Sequence, residues 1–299
     1  MFLNQRIATS FTIAVIISFF FACSPLRQLS ELSQEADMAW QAGNYPEAYS
    51  LYGQLIDEYR SRDQAIDGEI YKRAGISAFE AGETQQALNY LEFARHTEAA
   101  GERTFLSLAK AYREIDNLSR EITNLERYID RYPDGAEADA FRARLFETLV
   151  ESMNWQQALD LWAELPGDPY QNEDMLTLFL QLNRQIDNTE KASVVAEQLL
   201  DLNRNNHEAL DYLARKHFRE AVNRHNREMR AYEENRTHRQ YAQLLDALEI
   251  INTDLRIALN YFKRLYDQDP RPEYADFLAN IYERFQDEEN ARHYRRLAE

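Results

Sequence analysis

The chain of 299 residues has a formal net charge of −17, from 34 basic and 51 acidic side chains. Such an acidic protein repels the phosphates of double-stranded nucleic acid, so nucleic acid is not an expected partner. Eight glycines and seven prolines are few for this length, and abundant Ala, Leu, Glu, Gln and Arg favour helices. No stretch after residue 23 alternates β-branched and polar residues as a strand would. The composition predicts an all-α protein.

The first residues have the pattern of an export signal. Arg6 precedes a mostly apolar run of 16 residues, Ile7–Ala22. This run is shorter than the roughly 20 residues that span a bilayer as a helix, and its length is typical of a signal peptide. Cys23 follows at once and is the single cysteine of the chain, so it has no intramolecular partner for a disulfide.

The segment Phe20-Phe21-Ala22-Cys23-Ser24 resembles the lipobox of bacterial lipoproteins. The small residue before the cysteine matches the motif, whereas Phe20 and Phe21 depart from it. The resemblance implies that Cys23 becomes the mature N-terminus and carries acyl chains such as palmitate, which anchor a protein stably when several are present. Ser24 in place of Asp implies the outer membrane, with the protein facing the periplasm. The alternative is an ordinary signal or uncleaved anchor with an incidental cysteine.

A short sequence motif recurs along the rest of the chain. It has a small residue three positions after a turn and a bulky residue four positions further on. Its copies are Gly43-x-Tyr45-x-x-Ala48-x-x-x-Tyr52, Gly82-x-Thr84-x-x-Ala87-x-x-x-Leu91, Asn154-Trp155-x-x-Ala158-x-x-x-Trp162 and Asn188-Thr189-x-x-Ala192-x-x-x-Ala196. This motif, with a period of about 34 residues, resembles the tetratricopeptide repeat family. The resemblance implies an α-solenoid of about seven helix-turn-helix units.

The small residues mark the places where helices of a unit cross. Their expected positions are 48, 87, 121, 158, 192, 258 and 291. Gly75 stands inside a helical segment, where glycine costs about 1 kcal/mol relative to Ala, so we expect a neighbouring helix to approach it closely. Glu121 departs from the pattern, because a small residue is expected there. Phe146 and Leu180 depart at another close-packing position.

The spacing of these positions is interrupted between 192 and 258. Downstream of the interruption, apolar residues alternate three and four apart, as in a coiled-coil seam; they are Tyr241, Leu244, Leu248, Ile251, Leu255, Ala258, Phe262 and Leu265. A shorter seam precedes it, formed by Phe218, Val222, His225, Met229 and Tyr232. Together they predict a long antiparallel helical hairpin inserted in the sixth unit. About 16 extra residues per helix would make it project by about 24 Å.

The sequence therefore divides into four predicted segments. Residues 1–22 form the signal peptide, 23–206 the first five repeats, 207–270 the extended hairpin and 271–299 a C-terminal repeat.

Motifs of catalysis and cofactor binding are not found in the sequence. The chain has no glycine-rich phosphate loop and no Gly-x-Ser-x-Gly elbow. Its six histidines have no metal-ligand spacing along the chain, and the seam position of His225 suits either a packed side chain or a pH switch. We expect no enzyme activity, cofactor, metal or small-molecule substrate.

One segment is basic in this acidic chain. Between residues 215 and 239 there are eight basic and four acidic side chains. Arg224, Arg227 and Arg230 are the candidate binding residues for an acidic partner, on the hairpin predicted to project. The alternative is a solvated face with ion pairs four residues apart, such as Glu220 with Arg224.

These patterns predict a non-catalytic lipoprotein scaffold that faces the periplasm and holds a protein partner, because repeat solenoids present an extended concave face. Two narrower roles remain open. One is a component of the outer-membrane protein assembly machinery, which includes a lipoprotein of similar architecture. The other is an accessory protein that regulates or binds peptidoglycan enzymes.

Overall fold

The computed structural model describes residues 25–299, with side-chain environments from Leu29 onward. In this part of the chain the secondary structure is entirely helical, which confirms the predicted all-α class. No helix within residues 25–299 combines the length and the apolar composition that a membrane span needs. Cys23 and the apolar run before it lie outside the described residues, so signal cleavage and lipidation stay predictions.

The chain divides into two compact units between Ile115 and Asp116. The described part of the first unit contains five helices, α1 (Pro25–Gln41), α2 (Tyr45–Ser61), α3 (Gly68–Glu80), α4 (Thr84–Ala94) and α5 (Glu102–Glu114). Consecutive helices of this unit pack against each other. Their core contains the fully buried side chains of Tyr52, Leu55 and Ile56.

The second unit contains nine α-helices and a short 3₁₀ turn at Pro169–Gln171. The helices are α6 (Leu118–Arg131), α7 (Ala138–Glu151), α8 (Trp155–Trp162), α9 (Glu173–Gln185), α10 (Thr189–Leu202), α11 (His207–Glu234), α12 (His238–Gln268), α13 (Pro272–Arg284) and α14 (Glu288–Ala298). The four segment boundaries expected from the sequence stay predictions.

Five helix pairs, each inside one unit, share one backbone feature at the turn between their two helices. A residue with positive φ, between 56° and 83°, stands two positions before the second helix of each pair; these residues are Gly43, Gly82, Met153, Asp187 and Gln286. Asp116, two positions before α6, has the same conformation with a φ of 56°. A non-glycine residue pays about 1–2 kcal/mol in this left-handed conformation, so the packing of each of the five pairs must favour the turn. The described loop between α11 and α12, residues 235–237, has no positive φ.

The predicted crossing positions are all inside the protein. Ala48, Ala87, Glu121, Ala158, Ala192, Ala258 and Ala291 are at most 5% exposed. A Cβ atom on Gly75 would lie 2.5 Å from Leu91 Cγ and 3.0 Å from the Leu91 backbone nitrogen. Helix α4 therefore approaches α3 as closely as the glycine predicts.

Large side chains replace the small residue in two later pairs without loss of packing. Phe146 and Leu180 are both fully buried. The Trp162 ring lies 5.1 Å from the Phe146 ring and stacks on Phe179 with a centroid distance of 3.9 Å. A small residue at these positions would let the helices cross more closely. Here aromatic side chains fill the space between the helices instead.

Helices α11 and α12 have 28 and 31 residues and pack against each other. The buried residues of α12 are Leu244, Ala247, Ile251, Leu255, Ala258, Phe262 and Leu265. The prediction that Tyr241 is buried in this seam is wrong, because Tyr241 is 49% exposed although its ring lies 5.9 Å from Tyr232. Leu248 is only half-buried and Ala247 takes its place. A straight helix drifts from a strict seven-residue repeat, which accounts for this shift.

The ends of these two helices near their connecting loop are packed more loosely than their bases. On α11 the last buried residue is Ala221, and beyond it Val222, His225, Met229 and Tyr232 are half-buried. Two helices alone leave part of each seam residue in contact with water. That this pair is an insertion within a sixth repeat stays a prediction.

Candidate functional site

A groove of about 760 Å³ lies within the second unit. Its walls are the first helices of successive pairs, α7 and α9, with Trp155 from α8 and Glu208 from α11. The α7 side chains at 144, 147 and 151 and the α9 side chains at 174, 178, 181 and 185 recur three or four residues apart, and Thr177 lies beside Leu178. Each set therefore shares one face of its helix, and the two faces form the groove.

A buried ion pair supports the α7 wall. Arg144 donates from Nε to Glu121 Oε1 at 2.7 Å and from Nη2 to Glu121 Oε2 at 3.1 Å. Glu121 is 1% exposed, and the same guanidinium also donates to Glu147 at 3.0 Å. Burial alone would lower the pKa of Arg144, but its hydrogen bonds to Glu121 and Glu147 outweigh burial and raise the pKa. Arg144 is therefore a charged structural residue, already held by carboxylates.

The second arginine of the groove is also partnered. Arg184 donates to Glu208 at 3.1 Å, and its guanidinium lies 5.7 Å from the centre of the Tyr212 ring. This contact places Arg184 at one end of the groove, beside the start of α11.

The rest of the lining combines carboxylates, amides and apolar side chains. The half-buried Trp155 and Leu178 supply apolar surface, and the buried Val150 lies behind them in the lining. Thr177, Gln181 and Gln185 supply hydrogen-bonding groups along α9. Four carboxylates line the groove, Glu147, Glu151, Asp174 and Glu208, against two guanidinium groups. The lining is therefore acidic as well as partly apolar.

The three arginines predicted to bind a partner lie on α11 but do not point the same way. Positions three apart are rotated by about 60° on a helix, so Arg224, Arg227 and Arg230 fan around it. Arg224 is half-buried, and its Nε has no hydrogen-bond partner among the described residues. The Arg227 side chain is 63% exposed and donates to Glu228 at 2.9 Å. Arg230 is exposed. Their role in binding stays a prediction.

Other basic residues of the same segment have structural contacts. Arg215 donates to Asp211 at 2.7 Å and pairs with Glu273 at 2.9 Å. The expected pair of Glu220 with Arg224 is not seen in the described part of α11; Lys216 lies 4.0 Å from Glu220 instead.

One histidine has carboxylate neighbours that the sequence spacing does not reveal. His217 Nδ1 lies 3.0 Å from Asp254 Oδ1 on α12, and Glu220 is close enough to complete a three-ligand group. The spacing of the histidines along the chain did not predict this group, because Asp254 is 37 residues from His217, although Glu220 is only three residues away. The contact between His217 and Asp254 links α11 to α12. The Lys216 ammonium lies 4.0 Å from Glu220 and offsets part of the negative charge of this group.

Comparisons with known proteins support the repeat architecture. Residues 103–135 match a family model described as "Tetratricopeptide repeat". No curated protein matches the sequence. The solved structure of the C-terminal part of a TPR repeat-containing protein from Cytophaga hutchinsonii is similar, with a TM-score of 0.51 and 16% identity over 89% of this chain and 93% of that one.

Two further solved structures are less similar. YrrB, described as a TPR protein with an unusual peptide-binding site, has a TM-score of 0.46 and 14% identity over 63% of this chain and 96% of its own. A TPR repeats protein from Bacteroides fragilis has a TM-score of 0.36 and 16% identity over 85% and 97%. Residues 103–135 are therefore similar to a tetratricopeptide repeat, and the described chain has an all-helical fold like that of tetratricopeptide repeat proteins.

Proposed function

We propose that this protein is a non-catalytic scaffold that binds a protein partner in the groove between α7, α9 and the start of α11. The observation that carries the proposal is the groove itself, since it is formed by the first helices of successive repeats and combines apolar with hydrogen-bonding side chains. Repeat solenoids bind partners on such extended faces. Trp155 and Leu178 offer apolar contact area, while Gln181 and Gln185 suit the backbone of a bound segment.

A matched pair of variants tests the groove. Leu178→Arg places a long charged side chain in the groove, whereas Leu202→Arg makes the same change at an exposed leucine at the end of α10. We expect recovery of the partner from cells to fall several-fold with Leu178→Arg and to be unchanged with Leu202→Arg, with equal helicity in both. Equal recovery by the two variants would contradict a binding role for the groove.

We further propose that the scaffold is a lipoprotein of the outer membrane that faces the periplasm. The support is the pattern of Arg6, the apolar run and Cys23. Helix α1 begins at Pro25, two residues after Cys23, so a lipid on Cys23 would hold the first helices near the membrane surface. Cys23→Ser should release the protein from membranes or leave an uncleaved precursor. Unchanged lipid labelling and fractionation would refute the anchor.

The two narrower roles differ in the partner they require. A barrel-assembly subunit at the groove would support a place in the outer-membrane assembly machinery. A wall synthase or another peptidoglycan enzyme would support the accessory role. The partner that the Leu202→Arg control recovers and Leu178→Arg loses can be identified by mass spectrometry. Its identity distinguishes between the two roles.

A further inference from the structure

We infer that the groove selects a basic partner segment, one in which lysine or arginine side chains alternate with apolar side chains in an extended conformation. This inference rests on the proposed function, because it specifies the chemistry of the segment that the groove holds. It differs from the prediction for Arg224, Arg227 and Arg230, which expects an acidic partner on another surface.

The side chains that line the groove carry a net negative charge. Glu147, Glu151, Asp174 and Glu208 line the groove, and Glu121 lies buried beneath Arg144. Three of these carboxylates surround the Arg144 guanidinium, with Glu151 at 3.7 Å as the most distant. One positive charge thus faces three negative ones, and the surplus remains at the α7 wall. A cationic side chain that enters the groove is attracted by this surplus.

The contacts of Arg144 and Arg184 disfavour an acidic ligand. An acidic tail would need free guanidinium or ammonium groups to bind its carboxylates. Arg144 donates to Glu121 and Glu147, and Arg184 donates to Glu208. A carboxylate of the partner would have to displace these contacts and would meet repulsion from Glu151 and Asp174.

The uncharged side chains of the lining indicate the conformation of the bound segment. Leu178 is half-buried between Asp174 and Gln181 on the same face of α9. Successive side chains of an extended segment point in opposite directions, so an alternating segment can direct one set of side chains to Leu178 and Trp155, which are both half-buried. The amides of Gln181 and Gln185 can pair with its backbone N–H and C=O groups.

Three labelled nonapeptides test this chemistry with the full chain. They are acetylated and amidated, and they alternate leucine with lysine, with glutamate or with serine. Fluorescence anisotropy measures their binding to the original protein and to two variants that each remove two negative charges. Glu147→Gln with Glu151→Gln changes the groove, and Asp160→Asn with Asp201→Asn changes exposed carboxylates on α8 and α10 of the same unit.

We expect the lysine peptide to bind most tightly, and its Kd to rise at least fivefold with the groove variant but less than twofold with the control. Binding should also weaken as ionic strength rises. Equal loss in both variants would reduce the effect to the overall negative charge of the protein and overturn the inference. Tighter binding of the glutamate or serine peptide would also overturn it. If Leu178→Arg still abolishes partner recovery in those cases, the proposed function stands and only the basic chemistry fails.

Discussion

The carboxylate of Glu121 is enclosed in the protein and accepts two hydrogen bonds from the guanidinium of Arg144, at 2.7 and 3.1 Å. The tetratricopeptide repeat pattern expects a small residue at position 121. The larger charged side chain is accommodated because α7 supplies an opposite charge in the right geometry. The same pair holds Arg144 at the wall of the groove, so it connects repeat packing with the proposed binding site.

Substitution of either member should be strongly destabilising. Glu121→Ala leaves Arg144 without its closest partner, and Arg144→Ala leaves a buried carboxylate uncompensated. Each change should cost about 3–5 kcal/mol, even though Glu121→Ala restores the residue type that the repeat favours. The double variant should cost less than the sum of the two by about 1 kcal/mol or more. Urea unfolding of the four proteins measures this coupling, and simple additivity would show that the pair contributes nothing specific.

The close approach of α4 to α3 at Gly75 gives a second prediction. Gly75→Ala places a Cβ atom 2.5 Å from Leu91 Cγ and 3.0 Å from the Leu91 backbone nitrogen, so we expect a loss of about 1–3 kcal/mol from overpacking. Gly53→Ala is the matched control in α2, because its Cβ would lie 3.8 Å from the Tyr90 hydroxyl oxygen. That change should stabilise the helix by about 0.5–1 kcal/mol. Effects of the same sign in thermal unfolding would rule out the close crossing.

The sequence predicted what depends on residue size and local spacing. The small residues at 48, 87 and 158 are fully buried as predicted, and the glycine at 75 marks a close approach of α4 to α3. It did not predict the contacts between charged residues far apart in the chain. Arg144 lies 23 residues from Glu121, and His217 lies 37 residues from Asp254.

Other features were missed for related physical reasons. Met153 and Gln286 have the left-handed conformation of the repeat turn, but neither is a glycine or asparagine that would signal it. The groove itself depends on how the faces of α7 and α9 come together, which a repeat period alone does not specify.

A buried tyrosine in the first unit predicts alkaline sensitivity. The Tyr52 hydroxyl donates to Asp37 Oδ1 at 2.6 Å, and Arg73 donates to the same oxygen at 2.7 Å. Burial, followed by the hydrogen bond to Asp37, raises the pKa of Tyr52 well above its usual value. The folded protein therefore favours the neutral phenol, whereas the unfolded chain ionises above about pH 10. The stability from Tyr52 is fully present below that pH and is lost as pH rises toward the raised pKa.

Tyr52→Phe removes this group and should make stability fall less steeply with pH above about 10. Near neutral pH the same variant should lose about 1 kcal/mol, the usual contribution of one hydrogen bond. Urea midpoints measured from pH 8 to 11 compare the two slopes. Equal slopes of urea midpoint against pH for the variant and the original protein would mean that Tyr52 has the same pKa in the folded and the unfolded protein.

The loosely packed end of α11 and α12 should be separable from the rest. Deletion of residues 225–246, with a Gly-Asn turn in their place, removes similar lengths of both helices and keeps Ala221 and Ile251 in the core. We expect helicity per residue and cooperative melting to survive, by circular dichroism. Loss of cooperative unfolding would show that this end is a required part of the core.

The same end carries the arginines predicted to bind an acidic partner. Reversal of Arg224, Arg227 and Arg230 to Glu should leave the fold intact and weaken binding of such a partner, more strongly at low salt. Co-purification at two ionic strengths measures the effect. Full recovery of all partners by both the shortened protein and the charge-reversed protein would show that this surface does not bind a partner.

The groove of the second unit is the proposed position of the partner. To locate the partner in cells, a photo-crosslinking amino acid is placed at position 181 in the full chain, with parallel proteins that carry it at Gln157 on α8 and at Glu233 near the end of α11. We predict a specific crosslinked partner from position 181, through a segment that contains lysine or arginine, and none from position 157. Equal crosslinking from 181 and 157, or a partner captured from position 233 alone, would contradict this proposal.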